Sequence, residues 1–220
     1  NETEAAELAW NERCYSNLAV YLPDAVQRHG KVGVVVKACD CRTVVDLLQE
    51  HQLERENLRL IGVTCHGNWR AGELLNKCHT CDGQVPPLCD VAVSAQGIET
   101  RAPVDDAGRP TGDDPRDAHI AFLEQLPAEQ RWAFWHNQFS RCLRCYACRA
   151  VCPLCYCPTC VADHHRPQWV PTTIDGKGNT AWNAIRALHL AGRCTGCDEC
   201  TRVCPSGIRL DLINRRLAVE

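Results

Sequence analysis

Methionine is absent from all 220 residues, and no apolar run is long enough to cross a bilayer. The longest runs, Val32 to Val36 and Leu58 to Val63, fall far short of the ~20 residues that a membrane helix needs. No basic-then-apolar leader opens the chain, although a removed leader would leave no trace. Asn1 is too bulky for routine removal of an initiator Met, so the true N-terminus is expected to be processed or to lie upstream. Neither sign of charge dominates: 24 Lys and Arg face 27 Asp and Glu, a net charge of −3. That balance supplies no electrostatic footprint for a phosphate backbone and argues against nucleic acid as a partner. Gly-x-Ser-x-Gly and His-Glu-x-x-His are missing, and Gly176-Lys177-Gly178 lacks the remaining positions of a phosphate-binding loop. What is present is an apolar fraction of 45%, enough for a packed core, and 18 cysteines. That cysteine density belongs to disulfide scaffolds and metal proteins, so spacing must decide between them.

The chain divides in two. Val32 to Ala38 is a β-branched run that fits a buried strand ending at Cys39, and Arg42 to Leu53 carries apolar residues at helical spacing. Leu58 to Thr64 is a second strand ending at Cys65. Strand, helix and strand predict a βαβ unit with parallel strands. Val91 to Ser94 is a candidate third strand, and Cys14 to His29 a helix interrupted at Pro23. The expected fold is an α/β domain with a short parallel sheet over residues 1–98, then an acidic Pro/Gly linker over 99–118. An α-helical ferredoxin-type dicluster domain is expected over 119–220. In that last part, Trp132, Trp135 and Phe139 follow Pro127-Ala128 at helical intervals and aim at Cys142. Asn179 or Thr180 is placed to cap a helix that ends near Cys194, and Ile208 to Leu217 closes the chain as a helix. Trp132, Trp135, Trp169 and Trp182 are expected in the core.

Cys142, Cys145, Cys148, Cys152 and Pro153 read C-x2-C-x2-C-x3-C-P, and Cys194, Cys197, Cys200, Cys204 and Pro205 read the same. This run is the signature of two-cluster ferredoxins, in which the fourth cysteine of each run ligates the other cluster. Three close thiolates on a tight loop hold three corners of an iron-sulfur cube, while the displaced fourth faces its neighbour. The assignment is Cys142, Cys145, Cys148 and Cys204 to one 4Fe-4S cluster, and Cys194, Cys197, Cys200 and Cys152 to a second. Zinc favours paired knuckles, and disulfides give no reason for identical spacing, so both rivals explain the doubled motif less well. Each cube with four thiolates is a buried dianion that needs nearby cations. Arg141, Arg144, Arg149, Arg193 and Arg202 lie in or beside the runs, although solvated side chains are an equal reading for each. The helices before, between and after the runs resemble the α-helical ferredoxin domain of succinate dehydrogenase iron-sulfur subunits and heterodisulfide reductase small subunits, over about the last hundred residues.

In parallel neighbours, Cys39 and Cys65 would converge about 5 Å apart at the sheet's carboxyl edge, where open α/β sheets place ligands. Cys78-x2-Cys81 follows in a loop able to fold over that edge. Cys39, Cys65, Cys78 and Cys81 are therefore candidate ligands of a third 4Fe-4S cluster, with a zinc site or buried thiols as alternatives. The segments Val32-Gly33-Val34-Val35-Val36-Lys37-Ala38-Cys39-Asp40, Leu47-Leu48-Gln49-Glu50 and Ile61-Gly62-Val63-Thr64-Cys65 resemble the N-terminal region of the coenzyme F420 hydrogenase/dehydrogenase β-subunit family. The resemblance implies an iron-sulfur subunit, in some members also a flavoprotein, that passes electrons inside a larger anaerobic oxidoreductase. No residues recognisable as a flavin-binding portion are present, so flavin is not expected here.

Cys155, Cys157, Cys160 and His164, with His165 beside them, resemble half a zinc knuckle and are candidate ligands of an extra cluster or zinc. Cys14, Cys41 and Cys89 have no assigned role. The reading that results is an iron-sulfur electron-transfer subunit, itself without a catalytic residue. It would relay single electrons between a catalytic or flavin-containing partner subunit and a redox acceptor. Thiolate-bound cubes imply a reducing, cytoplasmic and anaerobic setting. The rivals are an iron-sulfur flavoprotein enzyme reducing F420 or a similar carrier, and a zinc-stabilised interaction module.

Overall fold

A computed structural model describes residues 11, 13–81, 86–94, 97–100 and 113–218. In chain order its strands are β1 (Val32–Val36), β2 (Leu58–Val63), β3 (Trp69–Arg70), β4 (Glu73–Leu74), β5 (Val91–Ser94) and β6 (Gly97–Thr100). The helices of the first half are α1 (Leu22–His29), α2 (Ala38–Gln49) and α3 (Asn76–His79). Those of the second half are α4 (Pro115–Gln125), α5 (Ala128–Ser140), α6 (Ala147–Ala150), α7 (Gly176–His189), α8 (Glu199–Arg202) and α9 (Leu210–Ala218).

The main sheet runs β1-β2-β5-β6. β1 and β2 are parallel, from Val32 opposite Leu58 to Val36 opposite Gly62, and β2 and β5 are parallel from Ile61 opposite Val91. β6 returns antiparallel on β5, and β3 with β4 makes a separate hairpin. Valine at four of five β1 positions favours extended backbone, and α2 supplies the crossover to β2. Cys41, Val44 and Leu47, three residues apart, put one face of α2 into the core beside Val34, Val36 and Leu60. Gly62 lets the third strand's approach close up: a Cβ there would stand 2.9 Å from Cys89 Sγ.

The two halves share that core, because Leu154 and Leu190 from the second half join the same buried cluster. Around α5, α7 and α9, smaller clusters form from Phe139, Cys200, Ile208 and Leu210, and from Ala162, Val170 and Trp182.

Several boundaries differ from expectation. Cys39 does not end β1 but occupies the first turn of α2, because Asp40 and Lys37 build a capping box there and start the helix early. Residues 14–17 are not helical; a short 3-10 turn at Leu18–Tyr21 leads into α1, and Pro23 sits in its first turn, where a missing N–H costs nothing. Asp175, not Asn179 or Thr180, caps α7 by accepting a hydrogen bond from Gly178 N at 2.7 Å. Of the expected linker, residues 101–112 lie outside the described residues, while its ends overlap β6 and α4, the latter capped by Asp114. Trp182 is buried, but Trp132 and Trp169 are exposed and do not join the core.

Candidate functional site

The cysteine repeat is also a repeat of backbone conformation. In the first run Arg144 and Tyr146 have φ of 53° and 59°; in the second Gly196 and Asp198 have φ of 70° and 62°. These are the second and fourth residues after the leading cysteine in each loop. Left-handed residues alternating along a turn direct successive N–H groups into one concavity, a nest that favours anions and recurs at iron-sulfur sites. Tyr146 and Asp198 then precede the short helices α6 and α8, which carry the third cysteines, Cys148 and Cys200. Tyr146 O accepts from Arg149 N and Ala150 N, and Asp198 O accepts from Thr201 N and Arg202 N. A left-handed conformation costs a side-chain-bearing residue about 1–2 kcal/mol, so the surroundings must hold it. Arg144 is held by donating to Gly178 O at 2.8 Å and Pro171 O at 3.1 Å, and Asp198 by its ion pair with Arg116.

α6 and α8 pack against each other and exchange their fourth cysteines. One cavity is lined by Cys142, Cys145, Cys148 and Cys204, under Tyr146, Trp182 and Ile208. A second is lined by Cys194, Cys197, Cys200 and Cys152, with Arg116, Arg186 and Asn214. Each set takes three cysteines from one run and one from the other.

Arg186 bridges the two. It is 5% exposed and donates to Cys148 O at 2.9 Å. Burial works against its charge, but the sulfurs of Cys200, Cys148, Cys152 and Cys155 hold its proton above the ordinary arginine range. The buried Nε atoms of Arg186 and Arg144 have no hydrogen-bond partner among the described residues. Sulfurs of both runs accept protein hydrogen bonds, among them Cys142 from Arg144 N at 3.4 Å and Cys200 from Asn214 Nδ2 at 3.6 Å. Burial pushes the Cys148 thiol up to about 11 and the Cys200 thiol up to about 12, with Arg186 opposing both. Arg116 is buried between Asp114 and Asp198 and donates to Gly196 O at 3.1 Å, tying α4 to the second loop.

A third cavity, of about 130 Å³, lies at the carboxyl edge of the parallel strands. Cys39, Cys65, Cys78 and Cys81 line it, together with Lys37 and Lys77. Both lysines are buried; Lys37 Nζ stands 2.7 Å from Asp40 and donates to Ser16 O, and Lys77 Nζ donates to Tyr15 O at 2.6 Å. Cys78 Sγ accepts from Asn68 N at 3.4 Å. Burial pushes the Cys39 thiol up to about 12, against the pull of Lys77 and Lys37.

Cys155, Cys157 and Cys160 line a fourth cavity, but the structure does not bring His164 to it. Cys41 donates to Leu88 O and Cys89 to Pro86 O inside the α/β core, and Cys14 to Asn11 Oδ1. Among the described residues no three Cys, His, Asp or Glu side chains close on a point that could hold a single ion.

Sequence reasoning missed Arg116, Arg186, Lys37, Lys77 and Asn214. Arg186 was legible in principle: with Asn179, Trp182 and Asn183 it follows helical spacing, on a face that turns out buried. Of the five arginines expected to compensate charge, only Arg144 is fully buried; Arg149, Arg193 and Arg202 are engaged by Asp163, Glu50 and Glu199, and Arg141 is exposed.

No protein-family model matches the chain. It is similar to the F420-dependent formate dehydrogenase subunit beta of Methanocaldococcus jannaschii, 22% identical over 311 aligned positions that cover 100% of this chain and 79% of the relative. It is also similar to the F420-dependent formate dehydrogenase 1 subunit beta of Methanococcus maripaludis, 22% identical over 261 positions, covering 78% of this chain and 64% of that relative. The first alignment is longer than the chain itself, so that relative carries segments with no counterpart here. Both relatives are named as subunits of an oxidoreductase. No helix among the described residues is long and apolar enough to cross a membrane.

Proposed function

We infer that this chain is an iron-sulfur electron-transfer subunit of a larger oxidoreductase, with three 4Fe-4S clusters on its three four-cysteine cavities. The observation that carries the reading is the exchange of Cys152 and Cys204 between the two runs, which leaves each cavity with four cysteines and puts the buried guanidiniums of Arg116 and Arg186 at the wall of the second. The donor set fits: sulfur ligands suit iron-sulfur groups, and the partnerless Nε atoms of Arg144 and Arg186 supply donors and positive charge where a dianion would sit. Lys37 and Lys77, though bonded to Asp40, Ser16 O and Tyr15 O, place positive charge at the wall of the third cavity. When bound, such groups supply one-electron transfer without making or breaking substrate bonds. The chain's own residues hold the thiolates, offset their charge and keep water out. The formate dehydrogenase β-subunits support placement beside a catalytic subunit, and this chain's cytoplasmic, anaerobic setting follows from the same thiolate chemistry. A zinc or further cluster on Cys155, Cys157 and Cys160 receives no support from His164, which lies elsewhere.

Anaerobic iron and acid-labile sulfide analysis tests the reading. Three cubes give about twelve iron atoms per chain, two give about eight and dismiss the third site, and colourless protein holding zinc refutes the reading. Cys204→Ala is expected to remove the cluster of the first run and Cys152→Ala that of the second. Ligation confined within each run gives the reverse.

A further inference from the structure

Six cysteines stand outside the four-cysteine sets, and three of them, Cys155, Cys157 and Cys160, line the largest of the four cavities. This cavity, of about 750 Å³, falls in the size range of small-molecule sites, far larger than the cysteine cavity beside it. The two share Cys152 and Arg186 as a common wall. Cys157-Pro158-Thr159-Cys160 has the C-x-x-C spacing at which two thiols close a small disulfide ring. Cys157 is exposed and Cys160 half-buried, the asymmetry of an attacking thiol and its resolving partner. Arg149 lies in hydrogen-bonding reach of Cys160 and is steadied there by Asp163 at 2.7 Å. Cys155 lies within reach of Cys152, so the loop carrying the pair touches a side chain of the second cysteine set.

We propose that Cys157 and Cys160 form a reversible dithiol–disulfide couple, a two-electron centre set beside the one-electron relay. In the oxidising direction an external disulfide takes the two electrons: two S–H bonds break, the Cys157–Cys160 S–S bond forms, and the acceptor's S–S bond breaks to give two thiols that take up the two protons. In the reducing direction a low-potential one-electron donor acts twice, and water supplies the two protons. The source of those electrons rests on the relay reading above, but the existence of the couple does not.

The test uses the full chain, purified anaerobically. After dithionite, Cys157 and Cys160 should both alkylate. After equilibration with glutathione disulfide they should resist alkylation, and the peptide holding them should be lighter by two hydrogens, with the iron content unchanged. Cys157→Ser should abolish that protection and also leave the iron content unchanged. Full alkylation under both conditions overturns the proposal. So does loss of about four iron atoms in Cys157→Ser or Cys160→Ser, which would make these residues cluster ligands. The alkylation experiment on the unmodified chain needs no variant to fold, and a chain without iron can still show or lack the couple.

Discussion

Replacing Arg186 with Gln should make the clusters of both ferredoxin runs harder to reduce. The side chain is 5% exposed, reaches Cys148 O at 2.9 Å and faces sulfurs from both sets. Gln keeps a donor for the carbonyl and removes the charge. A unit charge about 8 Å from the added electron, at an effective dielectric of about 20, is worth roughly 2 kcal/mol. For a one-electron couple that is a fall of roughly 90 mV. The assay is an anaerobic potentiometric titration followed by visible and paramagnetic spectra, with iron content measured on the same sample. Arg141→Gln is the control, because this exposed guanidinium is screened by solvent and salt and should shift the potentials by no more than about 20 mV. An Arg186→Gln protein with full iron content and unchanged or raised potentials would refute the role assigned to this arginine.

At the third cavity, Lys37→Met strands the buried Asp40 carboxylate and should cost about 3 kcal/mol, measured by urea unfolding, while Lys37→Met with Asp40→Asn should recover more than half. A double variant as unstable as the single one would contradict this. Asp46 has its carboxyl pushed up to about 6 by burial and by the neighbouring Glu50, with Arg193 opposing. The folded state thus binds that proton more tightly than the unfolded chain, whose carboxyl titrates near 3.8, so ionised Asp46 subtracts stability as pH rises through this window. Asp46→Asn should therefore stabilise by about 1 kcal/mol at about pH 8, discounted for partial solvation, and by about half as much at about pH 5, read from melting curves. Gly178→Ala should destabilise by about 2 kcal/mol although helix propensity alone favours Ala by about 1 kcal/mol, because the new Cβ would lie 2.4 Å from the backbone Thr173 O. An unchanged melting temperature for Gly178→Ala would refute that clash.

The strands were legible because β-branched runs leave few options, and the parallel order followed from one intervening helix. The grouping of cysteines around the two cavities was legible because identical spacing in two places restricts how the runs can share side chains. Charge compensation was not. Reading arginines near the motifs in sequence put the exposed Arg141 among five candidates and passed over Arg186, eight residues before Cys194, which tertiary packing delivers to the wall of the second cavity and to Cys148 O of the first run. The start of α2 was misplaced for a related reason: a strand-like valine run continues into Lys37, and only the reciprocal bonds of Lys37 and Asp40 show that a helix begins there. His164 was grouped with Cys160 by spacing, yet the intervening 3-10 turn at Val161–Asp163 carries it to the surface.

The proposed relay would need its centres fixed relative to one another more than it would need any one of them stable, and the contacts between the two halves would serve that end. Thr43 on α2, four residues after Cys39, is fully buried and exchanges a hydrogen bond of 3.1 Å with Thr195, the residue after Cys194. Asn17 completes the link by donating to Thr43 Oγ1 at 2.9 Å while Glu199, at the start of α8, accepts from Asn17 N at 3.0 Å. Arg193, the residue before Cys194, reaches across to Glu50 just beyond the end of α2. The middle and the C-terminal end of one helix are therefore tied to one cysteine loop, with Leu47, Leu154 and Leu190 in the same buried cluster. Buried hydrogen bonds of this kind are worth about 1 kcal/mol each, too little to account for the fold. Their value lies in direction: apolar packing tolerates sliding, whereas these donors and acceptors hold α2 and the second loop in one register. The third cavity at the start of α2 and the second cavity beside Thr195 are thus tied together through α2, the arrangement that the proposed relay would require.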